Sequence, residues 1–315
     1  SETDEAAAML RWLDEDHFTF LGYREYLLED RGDVDVLVPV DASGLGLMRR
    51  AAGTARELTG VRGQRAREPR TLVLTTANRR STVHRDQYLD YVGVKTFDPS
   101  GAVIGERRFI GLFSSSAVSD PVRSVPVVRR KVDHVLARAG FALDSHSGKD
   151  LLAILESFPR EELFQTDPET LASTVDGIML LQDRRATRVF LRGDTYGRFV
   201  SALVFVPRDR WSTRVRLRVE QELSSTFDAV SMDCDLRMGD SALVRAYYRI
   251  RLHDGAAAGD VDQAGLQTRL ARAVRSWSEG MEEAFTSSFG AEAAVGLARR
   301  WAEAFPPAYR VVYEV

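Results

Sequence analysis

The sequence predicts an α+β protein: two small antiparallel-sheet domains, joined and followed by helical segments. Three observations carry that expectation. Runs rich in aromatic and β-branched residues gather in two separate stretches, 17–120 and 187–255. Between and after them the apolar spacing changes to the period of helices. The length of 315 residues suits about two domains at ~100–200 residues each. The expected division is a helix over 1–16, sheet domains over 17–120 and 187–255, and helical motifs over 121–186 and 256–315.

The chain opens with an amphipathic helix over 4–14, with Ala6, Met9, Leu10 and Leu13 on one stripe. His17–Glu29 then alternates in part, as a half-buried strand does, and Val34–Val40 is a second short strand. Residues 41–68 are rich in Gly, Ala and Arg and read as short helices and loops. Three strands follow at Thr71–Thr76, Tyr88–Phe97 and Ala102–Ser114, the last two joined by the turn Asp98-Pro99-Ser100-Gly101. Two strands, a short-helix segment and three strands in one antiparallel sheet resemble the sensory Per-Arnt-Sim (PAS) type of fold in topology.

From 121 to 186 the pattern is helical. A helix beginning at Pro126 presents Val128, Val132, Val135 and Leu136, and Gly140 stops it. Ser147–Asp150 has capping-box form before Leu151–Phe158, and Thr166–Glu169 forms a second box before Leu171, Val175, Ile178 and Leu181. Strands return at Arg188–Arg192 and Arg198–Val206. Residues 211–227 fit two patterns. Val215, Leu217 and Val219 alternate like a strand, whereas Trp211, Val215, Val219, Leu223 and Phe227 fall at i+4 steps, and length favours the helix. Strands at Ala229–Met238 and Ala242–Leu252 complete a module close to a ferredoxin-like half-sandwich. Asp254–Asp260 reads as a linker. The tail is helical, with one long stripe through Leu266, Leu270, Val274, Trp277, Met281 and Phe285 before Leu297, Trp301 and Phe305.

Composition narrows the chemistry. A net charge of −3 from 43 basic and 46 acidic residues argues against nucleic-acid or membrane partners. Locally, however, residues 1–50 carry 12 acidic and 5 basic groups, and 51–85 carry 2 and 8, a contrast suited to an internal or inter-subunit contact. The basic stretch has no aromatic residue on which bases would stack. The single cysteine, Cys234, leaves no disulfide framework or multi-cysteine metal site and reads as a packing residue. No apolar run reaches ~18 residues, and the first residues lack a signal-peptide core, so a cytoplasmic setting is expected. Lysine occurs only at 95, 131 and 149, an arginine bias that suits a high-GC genome.

No catalytic motif emerges. Gly44-Leu45-Gly46 lacks the third glycine of a dinucleotide loop, and Gly148-Lys149 lacks both the upstream glycine and the Ser or Thr of a phosphate loop. The histidines at 17, 84, 134, 146 and 253 are scattered, with none in metal-ligand spacing. No catalytic, cofactor-binding or metal residue is therefore expected.

The segments HFTFLGYREY (17–26), STVHRDQYLDYVGVKTFD (81–98), GERRFIGLF (105–113), DSHSGKDLLAILESFPREELFQ (144–165) and GRFVSALVFVPRD (197–209) resemble the N-terminal part of the large bacterial NAD-specific glutamate dehydrogenases. The absent initiator methionine and the end at Val315 fit a piece of a longer protein. The resemblance implies a non-catalytic regulatory and oligomerisation fragment, carrying ACT-type domains and helical motifs in a homotetramer. The parent would convert L-glutamate, NAD and water to 2-oxoglutarate, ammonium and NADH in a catalytic domain further along the chain, so NAD belongs to the parent and no cofactor to this fragment. Residues 187–255 would be the ACT-like module, with the 17–116 sheet beside it. Such modules typically bind an amino acid where the loop after a strand meets a helix. That loop is Pro207–Ser212, and the candidate effector-binding residues are Arg208, Asp209, Arg210, Trp211 and Ser212. Asp209 fits the pattern, but Trp211 and Ser212 replace the usual Pro-Gly pair and remove the small residue that lets a ligand approach the backbone. Amino-acid sensing through this module is the alternative reading.

Overall fold

The computed structural model describes residues 1–32, 34–49, 55–83, 86–182, 184–239, 241–253 and 261–312. It is α+β, with two antiparallel sheets and helices, and divides into two compact units, Ser1–Met179 and Leu180–Val315. The linker reading of Asp254–Asp260 and the histidine at position 84 lie outside the described residues.

The first unit begins with α1 (Glu2–Trp12), started by a Ser1–Asp4 capping box that satisfies two terminal N–H groups. Strands β1 (Phe18–Asp30), β2 (Asp35–Pro39), β3 (Leu45–Gly46) and β4 (Arg56–Leu58) precede α2 (Val61–Arg67) and β5 (Leu72–Arg80), β6 (Tyr88–Phe97) and β7 (Val103–Phe113). The sheet runs β4-β2-β1-β7-β6-β5, with β3 paired to β1. Two short strands thus occupy the stretch expected to hold only helices and loops. They are too short for alternation to register, and β4 is placed by pairing with β2. The acidic and basic stretches meet here: Arg67 on α2 pairs with Asp35 and, at 3.1 Å, with Asp30.

Helices α3 (Ser115–Ser119), α4 (Val128–Ala139), α5 (His146–Ser157), α6 (Arg160–Gln165) and α7 (Pro168–Gln182) follow. The expected face of α4, Val128, Val132, Val135 and Leu136, is buried, and Gly140 ends the helix at φ +69°. Three helix starts differ from the sequence reading. Helix α4 begins after Val127, whose backbone sits at φ +68° with its N–H donated to the Glu5 carboxylate at 2.8 Å. Ser145, not Ser147, caps α5 by accepting from Gly148 N, and Asp167, not Thr166, accepts from Thr170 N at the start of α7. Thr166 instead closes α6. Several polar residues in a row satisfy the cap pattern, and backbone geometry selects one of them.

In the second unit, β8 (Arg188–Gly193), β9 (Phe199–Pro207), α8 (Thr213–Phe227), β10 (Ser231–Arg237) and β11 (Leu243–Arg251) build a sheet of order β10-β11-β9-β8. The ambiguous 211–227 segment is helical. Val215, Val219, Leu223 and Phe227 are buried, while Leu217, which a strand would have placed beside them, is exposed. The tail divides into α9 (Gln263–Ala273), α10 (Trp277–Phe289), α11 (Ala291–Trp301) and α12 (Pro307–Val312). The single stripe is broken at Ser276, which caps α10 in a box with Glu279. Leu266, Leu270 and Val274 join the core of the β8–β11 sheet with Val204, Val219, Leu223 and Ile250. The sheet module therefore extends past residue 255 to include α9, because α8 alone does not cover one face of four strands.

Candidate functional site

The β9–α8 junction is built from backbone anchors. Arg208 N donates to Ala242 O at 2.9 Å, extending the β9–β11 register by one bond, and Arg208 Nη1 donates to Gly239 O at 2.8 Å. Trp211 N donates back to Arg208 O at 3.3 Å, closing one tight turn. Ser212 is extended and its Oγ accepts from Val215 N at 3.2 Å, which starts α8. Arg210 reaches α10, where its guanidinium meets Glu279 Oε1 at 2.6 Å. Burial raises the Glu279 pKa, but the Ser276 N–H and hydroxyl, with Arg210, outweigh it and hold the carboxyl below its usual range.

The five candidate residues therefore do not converge. Arg208 and Arg210 are bound to main chain and to Glu279, Asp209 is exposed, and Trp211 packs against the sheet core. Of the five, Ser212 lines a cleft, and the other four do not. The cleft is about 540 Å³ and lies between the start of α8, the end of α9, α10 and α12. Arg214 and Arg218 line it one helical turn apart on α8, Arg272 in the last turn of α9, Arg275 in the α9–α10 connection, and Arg310 on α12. Among the described residues that line it, Glu283 is the one carboxylate, and it pairs with Arg275. Arg214 Nη1 donates to Arg310 O at 2.7 Å, tying α8 to α12. A second concavity, about 380 Å³ in the first unit, is lined chiefly by apolar side chains such as Leu10, Leu13, Phe20 and Phe109.

Sequence reasoning missed the arginine cluster. Its only local signal is the Arg214–Arg218 spacing just after the Ser212 cap, since Arg272, Arg275 and Arg310 lie far along the chain. Among the described residues, no three His, Cys, Asp or Glu side chains gather as metal ligands, and no helix is long and apolar enough to cross a membrane.

The sheet of four strands with α8 and α9 on one face defines an ACT-type module. Residues 188–278 match the family described as "Glutamate dehydrogenase, ACT2 domain", 125–184 match "helical motif 1" and 284–315 "helical motif 2" of the same enzymes. The chain belongs to the NAD-specific glutamate dehydrogenase family. It is 38% identical over 311 residues to the NAD-specific glutamate dehydrogenase of Halomonas elongata, covering 97% of this chain and 19% of that protein. The corresponding proteins of Pseudomonas aeruginosa and Mycobacterium tuberculosis are 37% and 30% identical, each over 98% of this chain and 19% of their own length. The chain thus spans about a fifth of these relatives, 19% in each case.

Proposed function

We propose that this chain is a non-catalytic regulatory and oligomerisation portion of a cytoplasmic, homotetrameric NAD-dependent glutamate dehydrogenase. The parent reaction takes L-glutamate, NAD and water to 2-oxoglutarate, ammonium and NADH. The observation that carries this reading is the order of matched segments, a helical motif, an ACT domain and a second helical motif, over residues 125–315. The antiparallel run β2-β1-β7-β6-β5 within the seven-stranded first sheet supports a PAS-type reading of it. Sedimentation of the chain over a range of concentrations tests the assembly role. Self-association is expected, and a single monomeric species at the highest concentration sinks that role.

The second reading is allosteric binding of an amino acid at Arg208–Ser212. What favours it is the position of Ser212, which caps α8 and borders the cleft. Ligands that bind only the folded state raise its melting temperature. A thermal-shift series over the common amino acids at millimolar concentration, with no response to any, argues against this reading.

A further inference from the structure

We infer that β10, an outer strand of the second sheet, is the surface through which this chain pairs with a second copy of itself, strand against antiparallel strand. Such pairing gives the assembly role proposed above its contact, and it rests on that reading.

The sheet has two outer strands, β8 and β10, and the fold treats them differently. Arg208 N donates to Ala242 O and Leu252 N to Arg198 O. The even-numbered residues of β11 therefore bond to β9, and the odd-numbered ones to β10. Asp233 lies opposite Arg249 and Asp235 opposite Tyr247, so the odd-numbered residues of β10 point their main-chain groups inward. Met232, Cys234 and Leu236 turn their N–H and C=O groups outward, where no described residue bonds them. The same alternation turns Val189 outward on β8, and there α9 covers it. Val189 N donates to Gln267 Oε1 at 2.8 Å, and Val189 O accepts from Gln263 Nε2 at 3.3 Å. One edge is met by glutamine side chains and the other is open.

An open edge accepts a further strand unless proline, lysine, a bulge or shortness blunts it. β10 runs seven residues without proline or lysine and pairs with β11 without a register shift. Met232, Cys234 and Leu236 share one face of the strand, opposite Ile250, Tyr248 and Ala246 of β11. Leu236 is 38% exposed and Cys234 is exposed, so this apolar row reaches solvent at the edge.

The other face of β10 selects the partner. It reads Asp233, Asp235, Arg237, acidic first and basic last. An antiparallel copy centred on Asp235 sets each Asp233 against Arg237 of the other chain, whereas an in-register parallel copy sets like against like. The two Asp235 carboxylates then meet, each already 4.0 Å from Arg245 of its own sheet. In this register Cys234 lies opposite Leu236 of the second copy, and both turn their main-chain groups outward. These pairs exchange main-chain hydrogen bonds and bring apolar side chains together. A second copy thus complements the edge in hydrogen bonds, charge and apolar surface.

Sedimentation of the 315-residue chain and of its β10 variants tests the contact. Self-association of the parent is expected. Leu236→Lys places a charge on the open edge and is expected to raise the dissociation constant about tenfold or more. Cys234→Pro removes an outward N–H without touching the β11 ladder and is expected to act in the same direction. Arg188→Gln, at an exposed position on β8, leaves association unchanged. Thermal melts check that each variant is folded. Cys234 is the single cysteine of the chain, and the proposed register brings its two copies within about 10 Å. A short bis-maleimide should therefore join two parent chains and fail with Leu236→Lys. A parent that stays monomeric at every concentration removes the assembly role and this contact together. Association undiminished in folded Leu236→Lys, or an associated parent that the bis-maleimide does not join, overturns the contact and leaves the assembly role standing.

Discussion

The Lys131 ammonium on α4 donates to Thr166 O at 2.7 Å, and with it to Leu163 O and Phe164 O at 2.8 Å. One side chain thereby takes up three carbonyls where α6 ends, groups with no partner inside their own helix. Lys95 makes the same arrangement at the end of α2, donating to Arg65 O, Ala66 O and Glu68 O at 2.6, 3.0 and 2.7 Å. Two of three lysines in an arginine-dominated chain serve in this way. An ammonium points three donors at converging acceptors, whereas a planar guanidinium does not. Geometry therefore accounts for these two exceptions to the arginine bias.

Lys131→Arg is expected to destabilise the fold although it keeps the charge. Lys131→Met, which strands three carbonyls of buried residues, should cost about 2 kcal/mol or more. Urea unfolding midpoints measure both. An arginine variant as stable as the parent would refute the geometric account.

Lys95 gives a pH dependence. It is 5% exposed, and burial pushes its ammonium down from 10.5 to about 8, against the pull of Glu68 and with the push of Arg70 and Arg65. Between these values the unfolded chain holds a proton that the folded chain has released, so the Lys95 contribution to stability rises with pH from about 8 to 10.5. Below about 8 both states are protonated and the contribution is flat. The stability of the parent minus that of Lys95→Met should therefore grow across this window, and a constant difference would contradict the shift.

Two glycine-to-alanine changes have opposite expected signs. A Cβ at Gly111, on β7 in the middle of the first sheet, meets Thr19 O at 2.1 Å and the Phe18 ring at 2.4 Å. Gly111→Ala should cost about 1–3 kcal/mol through overpacking. Gly296 lies inside α11 with nothing within 4 Å of an added Cβ. Gly296→Ala should stabilise by up to about 1 kcal/mol through lower unfolded-chain entropy. Thermal melts of the two variants moving in the same direction would defeat this contrast.

Helix α8 supplies a test of its own periodicity. Leu223 is fully buried and Leu217 is 54% exposed. Leu223→Ala should cost about 2–5 kcal/mol and Leu217→Ala within about 0.5 kcal/mol of nothing. Equal losses would restore the strand reading of 213–220, since a strand puts Leu217 with Val215 and Val219.

Much of the fold was legible. The alternating runs marked both sheets, and the face of α4 stood in the sequence as it stands in the structure. Strands β3 and β4 were not legible, because two or three residues hold no period and their place comes from partners in β1 and β2. The break at Ser276 was hidden for a different reason. The apolar spacing runs on through it, and the competing capping box wins only once Leu266, Leu270 and Val274 are committed to the sheet core. The candidate loop was located, yet of its residues only Ser212 borders the cleft.

By itself the sequence determined that the protein is α+β with two separate sheets, which family its ordered segments resemble, and which face of most helices is apolar. Those properties are local, written in spacing over ten or twenty residues. Only the tertiary structure decided that residues 213–227 form a helix, that α9 belongs to the second sheet, and that Arg214, Arg218, Arg272, Arg275 and Arg310 share one cleft. Convergence of side chains separated by up to about a hundred residues depends on how apolar faces close on one another, and no local period records it.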